Sequence, residues 1–261
     1  MAGKSEPVQT RKKLALPADA QLDRLIHDPS SETLLAVAAD QRLTEDLALA
    51  LLNRRDLPPE ALQELNRNSS VAKLHKVRLA VASHPRTPRH VSLPLLRALH
   101  TFELMQLALL PAAAPDVKRA AEEVLMARLG TLSSGERLSL AKQASGRVAA
   151  ALLTEKEDRV IQAALLNPRI TEPHIVKALK AEAGTEVLAP AVARHQKWFH
   201  RTEVKAALLG NRYTPFARAV QIASELPLHA LKDVLRNARL SPNVRGYLKG
   251  VLEKRAGSAN S

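Results

Sequence analysis

The stretch Val160-Ile161-Gln162-Ala163-Ala164-Leu165-Leu166-Asn167-Pro168-Arg169-Ile170-Thr171 holds the pattern that decides the fold. It reads as an apolar helix that stops at Asn167-Pro168 and restarts after Thr171. Its first half recurs: valines opening basic, alanine- and leucine-rich stretches stand at Val77, Val117, Val160, Val204 and Val244, at spacings of 40, 43, 44 and 40 residues. A fixed period of that size is the mark of stacked helical repeats.

The second half recurs as well. Seven residues after Val77, Val160 and Val204 come His84-Pro85-Arg86-Thr87-Pro88, Asn167-Pro168-Arg169-Ile170-Thr171 and Asn211-Arg212-Tyr213-Thr214-Pro215. Asn tolerates the left-handed conformation wanted just past a helix end, and proline cannot continue a helix. Thr is then expected as an N-cap, with Pro88 and Pro215 at the first helical position. After Val117 and Val244 the seventh residue is apolar, Val124 and Val251, so those helices are expected to run on, to about Leu129 and to the chain end.

Between these landmarks the apolar spacing predicts three short helices per repeat. After Thr87 they cover Arg89 to Leu99, Phe102 to Leu110 and Asp116 to Leu129; after Thr214, Phe216 to Ser224, Leu228 to Asn237 and Asn243 to Leu252. Nothing reads as a strand. The expected architecture is all-α, a right-handed α-solenoid of about five repeats. A weak first copy covers 15–83, with Asp40-Gln41-Arg42-Leu43-Thr44 standing where His84 to Pro88 stand, and further copies fall near 84–129, 130–166, 167–209 and 210–255. The expected domain is a single one over 15–255, with a disordered basic arm at 1–14 and a disordered tail at 256–261.

Three helices per repeat of about 43 residues resembles the armadillo class. Helices beginning Asp116-Val117-Lys118 or Asp158-Arg159-Val160 look like HEAT repeats, and the Asn-Pro-x-x-Thr turn is similar to leucine-rich-variant repeats of bacterial proteins. The resemblance covers about residues 31–255 and implies macromolecular binding, with no catalytic residues to carry over. HEAT-like repeats are also the fold of bacterial alkylpurine DNA glycosylases, but no motif here maps onto that family residue by residue.

Composition narrows the chemistry. With no cysteine in 261 residues, disulfides and thiolate zinc sites are excluded, and a reducing, cytoplasmic compartment is the simpler expectation. Met1 to Lys13 has charges and no apolar core, unlike a secretory signal, and the most apolar stretch, Leu104 to Ala114, is too short to span a membrane. Among the nine histidines, His195 and His200 are five apart and His84 and His90 six, neither a gap that places two ligands on one helical face. Phosphate-cradling and nucleophile-elbow motifs are missing. No enzymatic activity, cofactor, metal or membrane contact is therefore expected.

Charge suggests a partner. The formal net charge of +13 is uneven: residues 15–58 carry −4, whereas 191–261 carry +9 and hold five of the six aromatic residues. The candidate polyanion-binding set is Trp198, Arg201, Lys205, Arg212, Tyr213, Arg218, Arg236, Arg239, Arg245 and Lys249. Bases interleaved with rings are what nucleotide-stacking surfaces use, yet a terminal repeat filling its core with rings would look the same. Tyr213 stands out as the candidate exposed ring. The bases beside the valines, Arg78, Lys118, Lys205 and Arg245, form either a basic ladder on one face or pairs with acids such as Asp116, Asp158 and Glu203. A protein partner is expected first, with nucleic acid or a ribonucleoprotein at the basic carboxy end as the alternative and a HEAT-like alkylpurine DNA glycosylase as the lesser one.

Overall fold

The computed structural model describes residues 16, 21–181, 184–237 and 240–257. These residues form eighteen α-helices and two 3-10 turns, and no strand. The chain falls into two compact units, Met1–Val124 and Leu125–Ser261. The arm expected at 1–14 lies outside the described residues, while the expected tail overlaps the last helix, Pro242–Gly257.

All five landmark valines occupy one position. Val77, Val117, Val160, Val204 and Val244 are each the third residue of a helix, in His75–Ser83, Pro115–Arg128, Asp158–Leu165, Thr202–Leu209 and Pro242–Gly257. All five are buried. Pro115–Arg128 and Pro242–Gly257 are the long ones, as the apolar Val124 and Val251 require. A β-branched side chain in the first turn, followed by alanines and leucines on the inner face, packs each helix into the core of its unit.

In the first unit, Ser31–Ala39, Glu45–Leu52, Pro59–Arg67 and His75–Ser83 surround a core that includes Leu34, Val37, Leu51, Leu62, Leu65 and Val81. The stretch expected as a weak first copy, 15–83, holds five helices, Leu22–Leu25 and the four just named, and Ser31–Ala39 ends at the Asp40 turn. Thr44 caps the next helix by accepting from the Leu47 N–H at 3.4 Å. In the second unit Asp158–Leu165 packs on Ser134–Gln143 and Thr185–Arg194, and Thr202–Leu209 on Glu172–Leu179 and Leu228–Asn237. Its core includes Leu140, Val148, Leu153, Ile161, Ile175, Leu188, Leu208, Ile222 and Leu231.

The turns work differently from the expectation. No described residue other than glycine has a positive φ, so Asn167 and Asn211 are not left-handed caps. Asn167 instead accepts the Arg169 N–H at 2.8 Å through Oδ1, and its Nδ2 donates to the Ala141 and Ala144 carbonyls at 2.9 and 3.1 Å. Asn211 accepts from the Tyr213 N–H at 2.9 Å and donates to the Leu179 carbonyl at 2.7 Å. Asn68, a turn the repeat pattern does not single out, accepts from the Ser70 N–H at 3.0 Å and donates to Ala38 and Asp40 at 3.0 and 2.8 Å. At His84 an imidazole replaces the amide. Its Nδ1 accepts from the Arg86 N–H at 3.2 Å, so Nε2 carries the proton and donates to the Arg54 carbonyl at 2.8 Å.

Each of these side chains stabilises its own turn and, at the same time, satisfies carbonyls at or just past the end of a helix some 23 to 32 residues back. Such carbonyls have no partner within their own helix, and burial makes an unmatched one costly. Thr87 and Thr214 likewise face backward. Their hydroxyls donate to the Val81 and Leu208 carbonyls, both at 2.6 Å, while Pro88 and Pro215 take the N-cap position just before the helix. Glycine freedom is used at Gly184, with φ of 75°, where a Cβ would also stand 2.5 Å from the Thr154 carbonyl oxygen.

Candidate partner-binding surface

The carboxy-terminal bases and rings lie in the second unit, and the structure separates them into three groups. The first is interior. Trp198 is 3% exposed and donates its indole N–H to the Leu165 carbonyl at 2.9 Å, which corrects its expected role as a stacking face. An indole whose ring is enclosed and whose one donor is spent on the backbone is a packing residue. Phe199 beside it is also buried. His195, at the start of the same short helix, is held below the ordinary imidazole range by burial and then by Lys197, so it stays neutral.

The second group consists of cations already engaged. Lys205 pairs with Glu225, and its ammonium stands 5.8 Å from the Phe199 ring centroid. The Arg218 guanidinium sits 5.0 Å from the same ring and donates to Gln221 at 2.8 Å. Arg212 lies 4.7 Å from the Tyr213 ring centroid and donates to its hydroxyl at 2.7 Å. Tyr213 is therefore half-buried with a guanidinium against it, rather than an open ring. Cation–π contacts of this kind are attractive in themselves, and each sets a cation of the same chain against a ring.

Arg201, Arg236, Arg245 and Lys249 make up the third group, all exposed on the second unit. Arg239 lies outside the described residues.

Two of the bases beside the valines act locally. Arg78 Nε donates to the Ala72 carbonyl at 2.9 Å, and Lys118 Nζ to the Pro111 carbonyl at 3.3 Å. Arg159 bonds Glu157 and the Ser134 hydroxyl, in a network where Arg137 also bridges Glu155 and Glu157. Ser134 and then Arg159 hold the Glu157 carboxyl below its ordinary range. Two of the three acids named as their partners pair elsewhere, Asp116 with Arg89 and Asp158 with Arg194.

A groove of about 950 Å³ opens in the second unit between the end of Glu172–Leu179, the helix Thr202–Leu209 and the helix Leu228–Asn237. Its wall includes the small residues Ala181, Ala206, Ala207, Gly210 and Ala230. Its charged lining is mixed, with Lys180 and Arg212 set against Glu203 and Asp233. Among the candidate binding residues, Arg212 is the one that lines it. In the first unit His75, His100 and Glu103 come together, a grouping the sequence hides because its members are 25 and 28 residues apart. The readable part of that signal is His100-x-x-Glu103 at a helix start, which a search for histidine pairs passes over.

No protein-family model matches this chain, and neither does any curated protein or solved structure. No described helix is long and apolar enough to cross a membrane.

Proposed function

We propose that this chain is a non-catalytic helical-repeat scaffold of the armadillo or HEAT-like kind, and that its partner is another protein. The observation that carries the reading is the groove of the second unit. Small side chains on its wall leave room for an incoming chain, and Lys180 and Arg212 opposite Glu203 and Asp233 suit a segment with charges of both signs. A polyphosphate would meet repulsion from the two acids, which weakens its binding there. Of the rings in the basic segment, Trp198 and Phe199 are enclosed and Tyr213 carries Arg212 against it, which leaves Phe216, 51% exposed and edge-on to Tyr247, as the ring open to a nucleobase.

Nucleic-acid binding stands as the second reading because Arg201, Arg236, Arg245 and Lys249 are exposed in the +9 segment. One experiment separates the two. The full chain carries a photo-crosslinking residue in place of Ala206, and in parallel a labelled oligonucleotide is titrated between about 50 and 200 mM salt. The scaffold reading expects a discrete protein adduct through position 206 that survives Arg201→Ser, Arg236→Ser and Lys249→Ser combined. It also expects oligonucleotide binding that is weak and insensitive to changes in the groove. Affinity that falls by about a thousandfold or more over that salt range, together with crosslinking to nucleic acid in place of protein, overturns it.

A further inference from the structure

In the first unit, we propose that His75, His100 and Glu103 form a binding site for a divalent transition-metal ion of the Zn²⁺ class. His75 is the first residue of the helix His75–Ser83, His100 is the N-cap of Thr101–Leu109, and Glu103 lies in the first turn of that second helix. The two helices pack against each other. One ligating atom from each of the three side chains lies within 4.8 Å of the others.

The two imidazoles stack with centroids 4.1 Å apart and planes at 29°, and His75 Nδ1 stands 3.9 Å from Glu103 Oε2. Glu103 is oriented from within, because its Oε2 accepts the backbone N–H of His100 at 2.6 Å. A ligating carboxylate held by a further hydrogen bond is the arrangement that keeps a metal ligand aimed. Lys76, the nearest cation in sequence, is drawn away toward Glu45 at 3.4 Å.

Two imidazoles and a carboxylate are a donor set that Zn²⁺ takes up, with a fourth position left for water. Tetrahedral bonds of about 2.0 to 2.1 Å put the donors about 3.3 Å apart. Both histidines are exposed, so rotation of their rings closes the remaining distance without moving the backbone. Co²⁺, Ni²⁺ and Cu²⁺ suit the same donors, and Mg²⁺ and Ca²⁺, which prefer oxygen, do not. The ion clips the start of one helix to the start of the other. Saturation at about a hundred times the dissociation constant then multiplies the folding equilibrium of the first unit about a hundredfold.

The test uses the full chain without a histidine tag, titrated calorimetrically with ZnCl₂ near neutral pH. One equivalent is expected to bind, and Co²⁺ is expected to give the visible absorption of a low-coordinate nitrogen-ligated site. His75→Ala and Glu103→Gln each weaken binding by about tenfold or more, a scale that even outer-sphere changes reach. His100→Asn does the same while retaining an N-cap acceptor, and His90→Ala, on the neighbouring helix Arg89–Leu96, leaves affinity unchanged. Should a variant lose helicity, imidazole NMR of the unaltered chain decides: Zn²⁺ is expected to shift His75 and His100 before the other histidines. No one-equivalent binding, equal loss in His90→Ala, or shifts spread evenly over the histidines overturns the site.

Discussion

The Asn167 and Asn211 turns and the cluster of rings and bases around Phe199 belong to the same unit and are built from equally polar sequence, yet they behave in opposite ways. In the turns, each polar side chain bonds backbone atoms, an N–H two residues on and carbonyls 23 to 32 residues back. In the cluster, the cations beside the Phe199 ring bond other side chains, Lys205 with Glu225 and Arg218 with Gln221, and Trp198 is the member that bonds backbone, at Leu165. Backbone groups recur wherever a helix ends, so a residue that serves them recurs with the helix period. Side-chain partners are particular to one place and leave no period to read.

The sharpest way to break this comparison is at Asn167, which is 2% exposed. If its amide ties off the Ala141 and Ala144 carbonyls, Asn167→Asp keeps the acceptor for Arg169 N–H and aims an oxygen at two carbonyls. The expected cost is about 3 kcal/mol, from buried groups left unmatched. Thermal unfolding of the second unit should then fall by roughly 10 °C. Asn167→Gly separates the two accounts. A left-handed cap would be improved or unchanged by glycine, whereas the hydrogen-bonded amide predicts a loss similar to that of Asp. Equal stability of all three proteins would return the turn to the first account.

That case shows which part of the fold was legible in the sequence. The valine period placed five helix starts and the turn motifs placed the stops, because buried β-branched residues and helix breakers act through local geometry. The use made of Asn167 was not legible. Asparagine ends helices either by adopting a left-handed backbone or by lending its amide, and the choice depends on carbonyls brought near by packing. Whether Trp198 packs or stacks was not legible for a similar reason: Lys197 and Arg201 flank it in sequence, but the Leu165 carbonyl that holds it is 33 residues away. The His75, His100 and Glu103 group was hidden for the same reason, since two helices must pack before it exists.

Trp198→Phe sharpens the comparison from the other side. Phenylalanine keeps most of the buried ring and deletes the indole N–H, leaving the Leu165 carbonyl without its donor. The expected loss is about 1 to 2 kcal/mol of stability in chemical denaturation. Any polyanion affinity the chain has should not change, because the ring is enclosed. A drop in oligonucleotide binding at constant stability would show that the indole reaches a ligand after all, and would place Trp198 with the exposed bases.

The smallest effect is expected at Glu225. Its carboxyl titrates below the ordinary glutamate range, first because of the hydrogen bond from Lys205 and then because of that from Gln221, with the charges of Lys205 and His200 adding to it. A depressed folded-state value means that the interaction stabilises the protein at pH above the ordinary glutamate range. That stabilisation is lost as pH falls through the depressed value. With 38% of the Glu225 side chain exposed and 14% of Lys205, solvent screening holds the contribution below about 1 kcal/mol. Glu225→Gln should therefore be slightly less stable than the parent near neutral pH, and the gap should close as acid protonates the parent carboxylate. Raised salt should narrow the gap as well, since a partly exposed pair is screened. A difference that persists unchanged into strong acid would mean that packing of the side chain, and not its charge, holds Lys205 over Phe199.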